Sequence, residues 1–319
     1  MTGKQPFTYR RQFLKAGLYG LAGGALGLGG CVHPGGRPLG ARSRTHTRRN
    51  IGVAAITVIR PFAEDPVGTL KEIAAIGYRT FQTLGSLGLE HQHLADLLAE
   101  TELTSPSRHV CPPEFYRSMV AWDAGQVSMN EIFGQVQSLY TLPKMPYLIE
   151  QAIAGAHVLG QKTIVWSNFL DADLATSKGV GRIIDALNAA GRQCAEAGLS
   201  FAIHNGSKGF APIDGISPYD RILDETDPDL VRGELDIYWA SRMGIDPARY
   251  LTARPGRYIS VHLKDMDSDG NIVAIGEGVL DVRNIIELGE ASGVGDFLIE
   301  YDRAPNPKAT LRTGWDYLS

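Results

Sequence analysis

The chain is short of several things, and each shortage closes a class. Its 319 residues include only three cysteines, too few for a disulfide scaffold. It has no cationic surplus: 31 Lys and Arg stand against 35 Asp and Glu, a formal charge of −4, whereas a nucleic-acid surface wants a basic excess. The apolar run Ala16 to Gly30 falls short of the ~20 residues of a membrane span and is rich in glycine. No Gly-x-Gly-x-x-Gly follows the first strand, which removes the fingerprint of a dinucleotide fold, and no glycine-rich phosphate cradle stands elsewhere. No fixed short repeat is visible. Many of the 37 glycines sit in the N-terminal segment, so a collagen-like or low-complexity chain is excluded as well.

What is present reads first as an address. Tyr9-Arg10-Arg11-Gln12-Phe13-Leu14-Lys15 places an arginine pair before the uncharged run, and Leu28-Gly29-Gly30-Cys31 resembles a bacterial lipobox with Cys31 as the lipid-bearing residue. The order of basic pair, apolar run and small-residue exit is that of a twin-arginine export signal. Residues 1–31 are therefore set aside as a signal and 32–49 as a flexible tether. This predicts an exported protein, periplasmic or held at the membrane only by an N-terminal lipid. In that oxidising compartment Cys111 and Cys194 read as small buried residues rather than a bridge.

Residues 50–319 alternate between β-branched apolar runs and helical periodicity. Strands are predicted at 51–58, 78–83, 105–110, 162–166, 200–204, 232–237, 258–263 and 296–301, with helices at 65–76, 90–100, 147–159, 180–197, 218–226, 247–251 and 282–292. Eight β/α units in this length imply an α/β protein of parallel sheet, closed as a single (β/α)8 TIM barrel.

In such a barrel the chemistry sits where strands end. Each of the last four strands ends on a metal-competent or acid–base group: His204, Asp236, His262 and Glu300, each after apolar residues. A single strand-end histidine is more often a satisfied structural group, and a lone acid is more often a helix cap. Four on successive strands are not so easily dismissed. Two imidazoles and two carboxylates suit a divalent Mn²⁺, Zn²⁺, Co²⁺ or Fe²⁺, with Mn²⁺ first, better than the all-oxygen shells that Ca²⁺ and Mg²⁺ prefer.

A set of segments resembles the xylose isomerase-like sugar phosphate isomerase/epimerase barrels. They are Gly77-Tyr78-Arg79, Gly198 to Asn205, Pro218 to Leu223, Thr226 to Val231, Glu234 to Trp239, Pro255 to Asp265, Gly276 to Asp281 and Ile299 to Asp302. The resemblance covers nearly all of 50–319. It implies a TIM barrel with a divalent metal at the strand ends and carries ligand roles to Asp236, His262 and Glu300. His204 falls where many members place a Glu and a close subgroup a His. Two departures stand out. That subgroup continues with Asn-His-Asp-Phe-Glu-Phe where this chain has Asn205-Gly206-Ser207-Lys208-Gly209-Phe210, and the usual Val-Glu-Phe of the second strand is Phe81-Gln82-Thr83 here.

Isomerising or epimerising a sugar removes a proton beside a carbonyl, which requires an electrophile and a base. The resemblance assigns the base to Glu300, which also touches the metal. His109 and Lys264 are candidates to orient hydroxyls or donate protons; Lys264 is equally readable as a surface pair with Asp265. Trp166, Tyr238 and Trp239 are candidate pocket walls. Three functions remain open: a metal-dependent isomerase or epimerase of a sugar, polyol or keto-sugar; a lyase acting on a keto-sugar or inosose with the same groups; and an exported barrel that binds carbohydrate without chemistry, which Gln82 and Gly206 favour. In all three the partner is a small carbohydrate without phosphate, not a nucleic acid.

Overall fold

The computed structural model describes residues 50–319; the expected signal, Cys31 and the tether lie outside the described residues. Eight parallel strands close into a barrel: β1 Ile51–Ala54, β2 Thr80–Leu84, β3 Ser107–His109, β4 Thr163–Trp166, β5 Ser200–His204, β6 Arg232–Asp236, β7 Tyr258–Leu263 and, after an antiparallel pair of two-residue strands (β8 Asp265–Met266 and β9 Ile272–Val273), β10 Asp296–Ile299. Neighbours follow chain order, and β10 pairs back onto β1 through Gly52 and Leu298 to close the ring. The (β/α)8 expectation holds.

Side-chain alternation sorts each strand. Along β7, Val261 and Leu263 join the hydrophobic layer beneath the helices, while Ser260 and His262 make polar contacts inside the barrel. The period of two carries on to Lys264. Along β6, Leu235 packs outward and Glu234 and Asp236 are fully buried within. The barrel therefore encloses a polar interior, and apolar packing lies between strands and helices. At Gly52 a Cβ would stand 2.7 Å from Thr80 Cβ and 2.9 Å from Leu298 Cδ2, so β1 can close the ring only with glycine there.

Several boundaries shift. The first apolar run is a strand only as far as Ala54; Ala55–Val58 coils into a 3₁₀ turn and Ile59–Glu64 into a helix. β3 is three residues long, shorter than 105–110. Cys194 is buried as expected, but Cys111 is only partly so; both are unpaired. Three helices lie between β3 and β4, the unexpected Pro113–Asp123 and Met129–Leu139 and then Met145–Leu159, and an unexpected helix, Pro307–Leu318, follows β10. Among the described residues no helix is long and apolar enough to cross a membrane.

Candidate active site

The strand ends deliver four groups to one point. His204 ends β5, Asp236 ends β6, His262 lies one residue from the end of β7, and Glu300 follows β10. One ligand atom from each lies within 4.8 Å of the others, and all four residues are buried. His204 Nε2 is 3.2 Å from His262 Nδ1 and 3.6 Å from Asp236 Oδ2. Glu300 contacts His262 Nδ1 through one oxygen and Lys264 Nζ through the other. Asp236 caps the following helix, its Oδ1 accepting from the Trp239 N–H at 3.0 Å, and Asn205 pins its backbone with two hydrogen bonds of 2.9 and 3.0 Å.

Lys264 belongs here and not to the surface pair with Asp265. Its side chain is fully buried, with Nζ 3.2 Å from Asp236 Oδ2 and 2.9 Å from Asp302 Oδ2, besides Glu300. Asp265 is turned away and plays a structural part, its carboxylate accepting the N–H groups of Gly276, Gly278 and Leu280. That explains the Gly276-to-Asp281 motif as a loop wound around an anion. A Cβ on Gly278 would collide with Asp265 Oδ1.

Beneath the cluster lies a second layer centred on Glu234, which sequence reasoning did not single out. Glu234, fully buried on β6, accepts from Gln82 Nε2 at 2.6 Å, Ser260 Oγ at 2.8 Å and His109 Nε2 at 2.7 Å, and lies 3.1 Å from His262 Nε2. Gln82 Oε1 in turn accepts from His262 Nε2 at 2.7 Å. The hydrogen on Nε2 is thereby fixed, and Nδ1 faces His204 and Glu300. Glu234 stands two residues before Asp236, and the strand's period of two would have placed both on the inner face. His109 lies beside both other imidazoles, ring centroids 5.4 Å from His204 and 5.3 Å from His262. Both of its nitrogens are engaged, Nδ1 accepting from Ser167 Oγ at 2.7 Å.

The electrostatics follow from burial set against pairing. Burial pushes the Glu234 carboxyl up, but His262 and His109 outweigh it and hold it well below the usual range. Glu300 is likewise raised by burial and pulled well below by Lys264 and His262. Burial opposes the charged forms of His262 and Lys264, yet Glu234 and Glu300 lift His262, and Asp236, Asp302 and Glu300 lift Lys264. For Asp302 burial wins over Lys264, and its carboxyl rises to about 6.

A cavity of about 360 Å³ opens on this floor, reached by Gln82, His109, His204, His262, Glu300 and Asp302. Of the three expected aromatic walls only Trp239 lines it. Trp166 is fully buried in the core against Tyr140, and the Tyr238 hydroxyl donates to Gly270 O.

The donor set suits a metal. Asp236 Oδ2 is fully buried with the Lys264 ammonium 3.2 Å away as an ion pair but no well-formed hydrogen bond, although a buried carboxylate oxygen ordinarily has one. It faces an imidazole nitrogen in a group of two nitrogen and two oxygen donors.

The family model of the xylose isomerase-like TIM barrels matches residues 148–319, more than half of the chain. The chain belongs to that family. Solved structures repeat the fold. A sugar phosphate isomerase/epimerase from Parabacteroides distasonis is 22% identical, with TM-score 0.68 over 85% of this chain and 97% of that one. A 3-keto-D-glucoside 4-epimerase from E. coli is 16% identical, with TM-score 0.56 over 85% and 99%. A probable 3-DHS dehydratase from Bacillus anthracis is 11% identical, with TM-score 0.60 over 85% and 98%. No curated protein matches the sequence.

Proposed function

We propose that the protein is a metal-dependent isomerase or epimerase that removes a proton beside the carbonyl of a sugar or keto-sugar. The observation that carries this is the convergence of four buried donors, His204, Asp236, His262 and Glu300, within 4.8 Å of one another, with His204, His262 and Glu300 on the floor of the cavity. Those four residues would hold a divalent ion, Mn²⁺ first. When bound, such an ion supplies Lewis-acid polarisation of a carbonyl oxygen.

The protein's own groups do the rest. Glu300 is ionised and reaches the cavity, so it takes the proton from the carbon beside the carbonyl. The electron pair of the broken C–H bond moves onto the carbonyl oxygen. The buried Lys264 ammonium, wedged among Asp236, Glu300 and Asp302, stabilises the developing negative charge without solvent reorganisation. Return of the proton to the opposite face gives an epimer; return to the neighbouring carbon, with a hydroxyl proton moving in step, gives an isomer. His109, held at both nitrogens, positions Glu234 and the neighbouring imidazoles.

Loss of a β-hydroxyl from the same carbanion would make the protein a lyase. Asp302, paired with the buried Lys264 beside Glu300 and itself lining the cavity, favours this as the second reading, because a departing hydroxyl needs a proton. A binding role without chemistry loses one of its motives: Gln82 is spoken for by His262, Ser107 and Glu234, so its neutrality is not a missing base. The chain is further proposed to be exported through Arg10-Arg11.

The test is metal analysis of protein purified without chelator, followed by wash-in of solvent deuterium across keto-sugars and aldoses. Stoichiometric metal and exchange are expected in the wild type, and Glu300→Gln should lower exchange by ~10²–10⁴-fold. Equal exchange in both proteins would move the base elsewhere. No metal after reconstitution with Mn²⁺ would remove the centre, and no exchange by loaded wild type would leave a binding protein.

A further inference from the structure

We propose that the cavity holds a subsite for an aromatic ring, so that the substrate is an aryl keto-glycoside, a sugar with a ketone on its ring and an aromatic aglycone. This rests on the function proposed above and specifies its substrate. The cavity has two unlike sides. Its floor is the polar strand-end group. One wall comes from the helices Pro113–Asp123 and Met129–Leu139, which present Phe115, Met119, Trp122, Met129, Ile132 and Phe133.

A free monosaccharide carries hydroxyls around most of its ring edge, with only small C–H patches on its faces. Turned toward this wall, hydroxyls would lose water and find on these two helices only Gln137 as a side-chain partner, a cost that disfavours such a fit. An aromatic ring meets no such penalty: aromatic side chains offer edge-to-face contacts and thioethers favourable sulfur–ring contacts. Met129 and Phe133 remain 40% and 45% exposed, although they line the same cavity as the polar floor, so apolar surface is left for a ligand to cover.

The wall is also fixed in place. Lys208, on the loop after β5, lies 4.6 Å over the Phe133 ring. Arg303, after β10, lies 5.5 Å from the Trp122 ring, and Arg60, after β1, pairs with Asp123 at 3.4 Å. Ties from three other strand ends hold the helix pair across the barrel mouth, with the apolar surface preorganised. The sugar is thus assigned to the floor and the aglycone to the wall.

The experiment is calorimetric titration of the full chain, in buffer containing Mn²⁺, with matched phenyl and methyl pyranosides of gluco, galacto, manno and xylo configuration. In at least one pair the phenyl compound should bind ~10–100-fold more tightly, as burial of one ring implies. Substituting Met129→Ser with Phe133→Ser, both on the exposed side of the wall, should lower the phenyl compound's affinity toward that of the methyl compound and so close most of that gap. A variant with Met119→Ser added should close it further, with melting temperature checking the fold of each. No pair with a gap, or a gap that survives all three substitutions, overturns the proposal; so does a variant that changes oligomeric size while the gap stays. The failures are separable. A gap without deuterium exchange on any keto-glycoside keeps the subsite and removes the catalytic reading. Exchange on free keto-sugars with no gap removes the subsite alone.

Discussion

Glu234 lies below the cavity rather than on its lining, yet it organises what does line it. By accepting from His109, Gln82 and Ser260 it sets the hydrogen on His262 Nε2 and turns Nδ1 to the metal-competent group. Partners of this kind orient ligands, and their loss typically costs ~10–100-fold in metal affinity. Glu234→Gln keeps the volume but removes the charge, so Mn²⁺ affinity measured by calorimetry should fall by that factor; unchanged affinity would reduce Glu234 to a structural role. A second carboxylate shows the opposite sign of pairing. Asp296, at the start of β10, accepts from Asn50, and burial together with the charge of Glu234 pushes its carboxyl up to about 6. The folded state therefore binds a proton that the unfolded chain releases near pH 4. Between about pH 4 and 6 the folded state holds more protons, so stability falls as pH rises through that window, and the deficit is complete above it. Asp296→Asn keeps an acceptor for Asn50 and removes the buried charge. With water reaching part of the group, the gain at pH 7 should be about 1 kcal/mol, or roughly 2–4 °C in Tm, vanishing by pH 4. A pH-independent difference in melting curves would refute that origin.

At the scale of elements, legibility follows the physics of each pattern. Strand β7 is plain in sequence because Tyr258-Ile-Ser-Val-His-Leu263 is β-branched and apolar, and it carries its metal-competent histidine near its end, as expected. The first strand reads four residues too long, since Ala55-Ile-Thr-Val58 has the same composition but coils into a 3₁₀ turn; composition cannot separate the two conformations where tertiary packing decides. The partners of Lys264 are not legible either, because the acids it meets lie on β6 and beyond β10, far away in the chain. The helix pair of residues 113–139 escapes the periodicity, although Pro112-Pro113-Glu114 and Ser128-x-x-Glu131 are start signals. In the second of these the Ser128 hydroxyl accepts from the Glu131 N–H at 3.3 Å, and the Glu131 carboxylate accepts from the Ser128 N–H at 2.7 Å. Ser128→Ala removes one half of this box and should cost the helix ~0.5–2 kcal/mol. Hydrogen exchange of amides 129–139 should quicken by the corresponding factor while the barrel strands keep theirs. Uniform quickening would mean that the pair unfolds only with the whole domain.

At the scale of the molecule, the proposed metal site and the proposed export address bear on each other. Twin-arginine export carries proteins that have already folded, so a metal centre assembled in the cytoplasm would travel with its ion inside. The buried His204, Asp236, His262 and Glu300 group is of the kind that gains from such loading: its donors are withdrawn from solvent, and the choice of ion would be made where the chain folds. The proposed address rests on Arg10 and Arg11, with Cys31 as a separable proposed lipid site. Replacing both arginines by lysine keeps the charge but removes the planar guanidinium pair, and should leave the precursor in the cytoplasm. Cys31→Ala should instead release a soluble exported form. Fractionation with detection of the full-length and processed chains separates the two effects. If the lysine variant reaches the periplasm as efficiently as the wild type, the twin-arginine route is wrong. A metal content that is the same for protein retained in the cytoplasm and protein recovered outside would show that loading precedes transport, whereas metal found only in the exported protein would place loading after it.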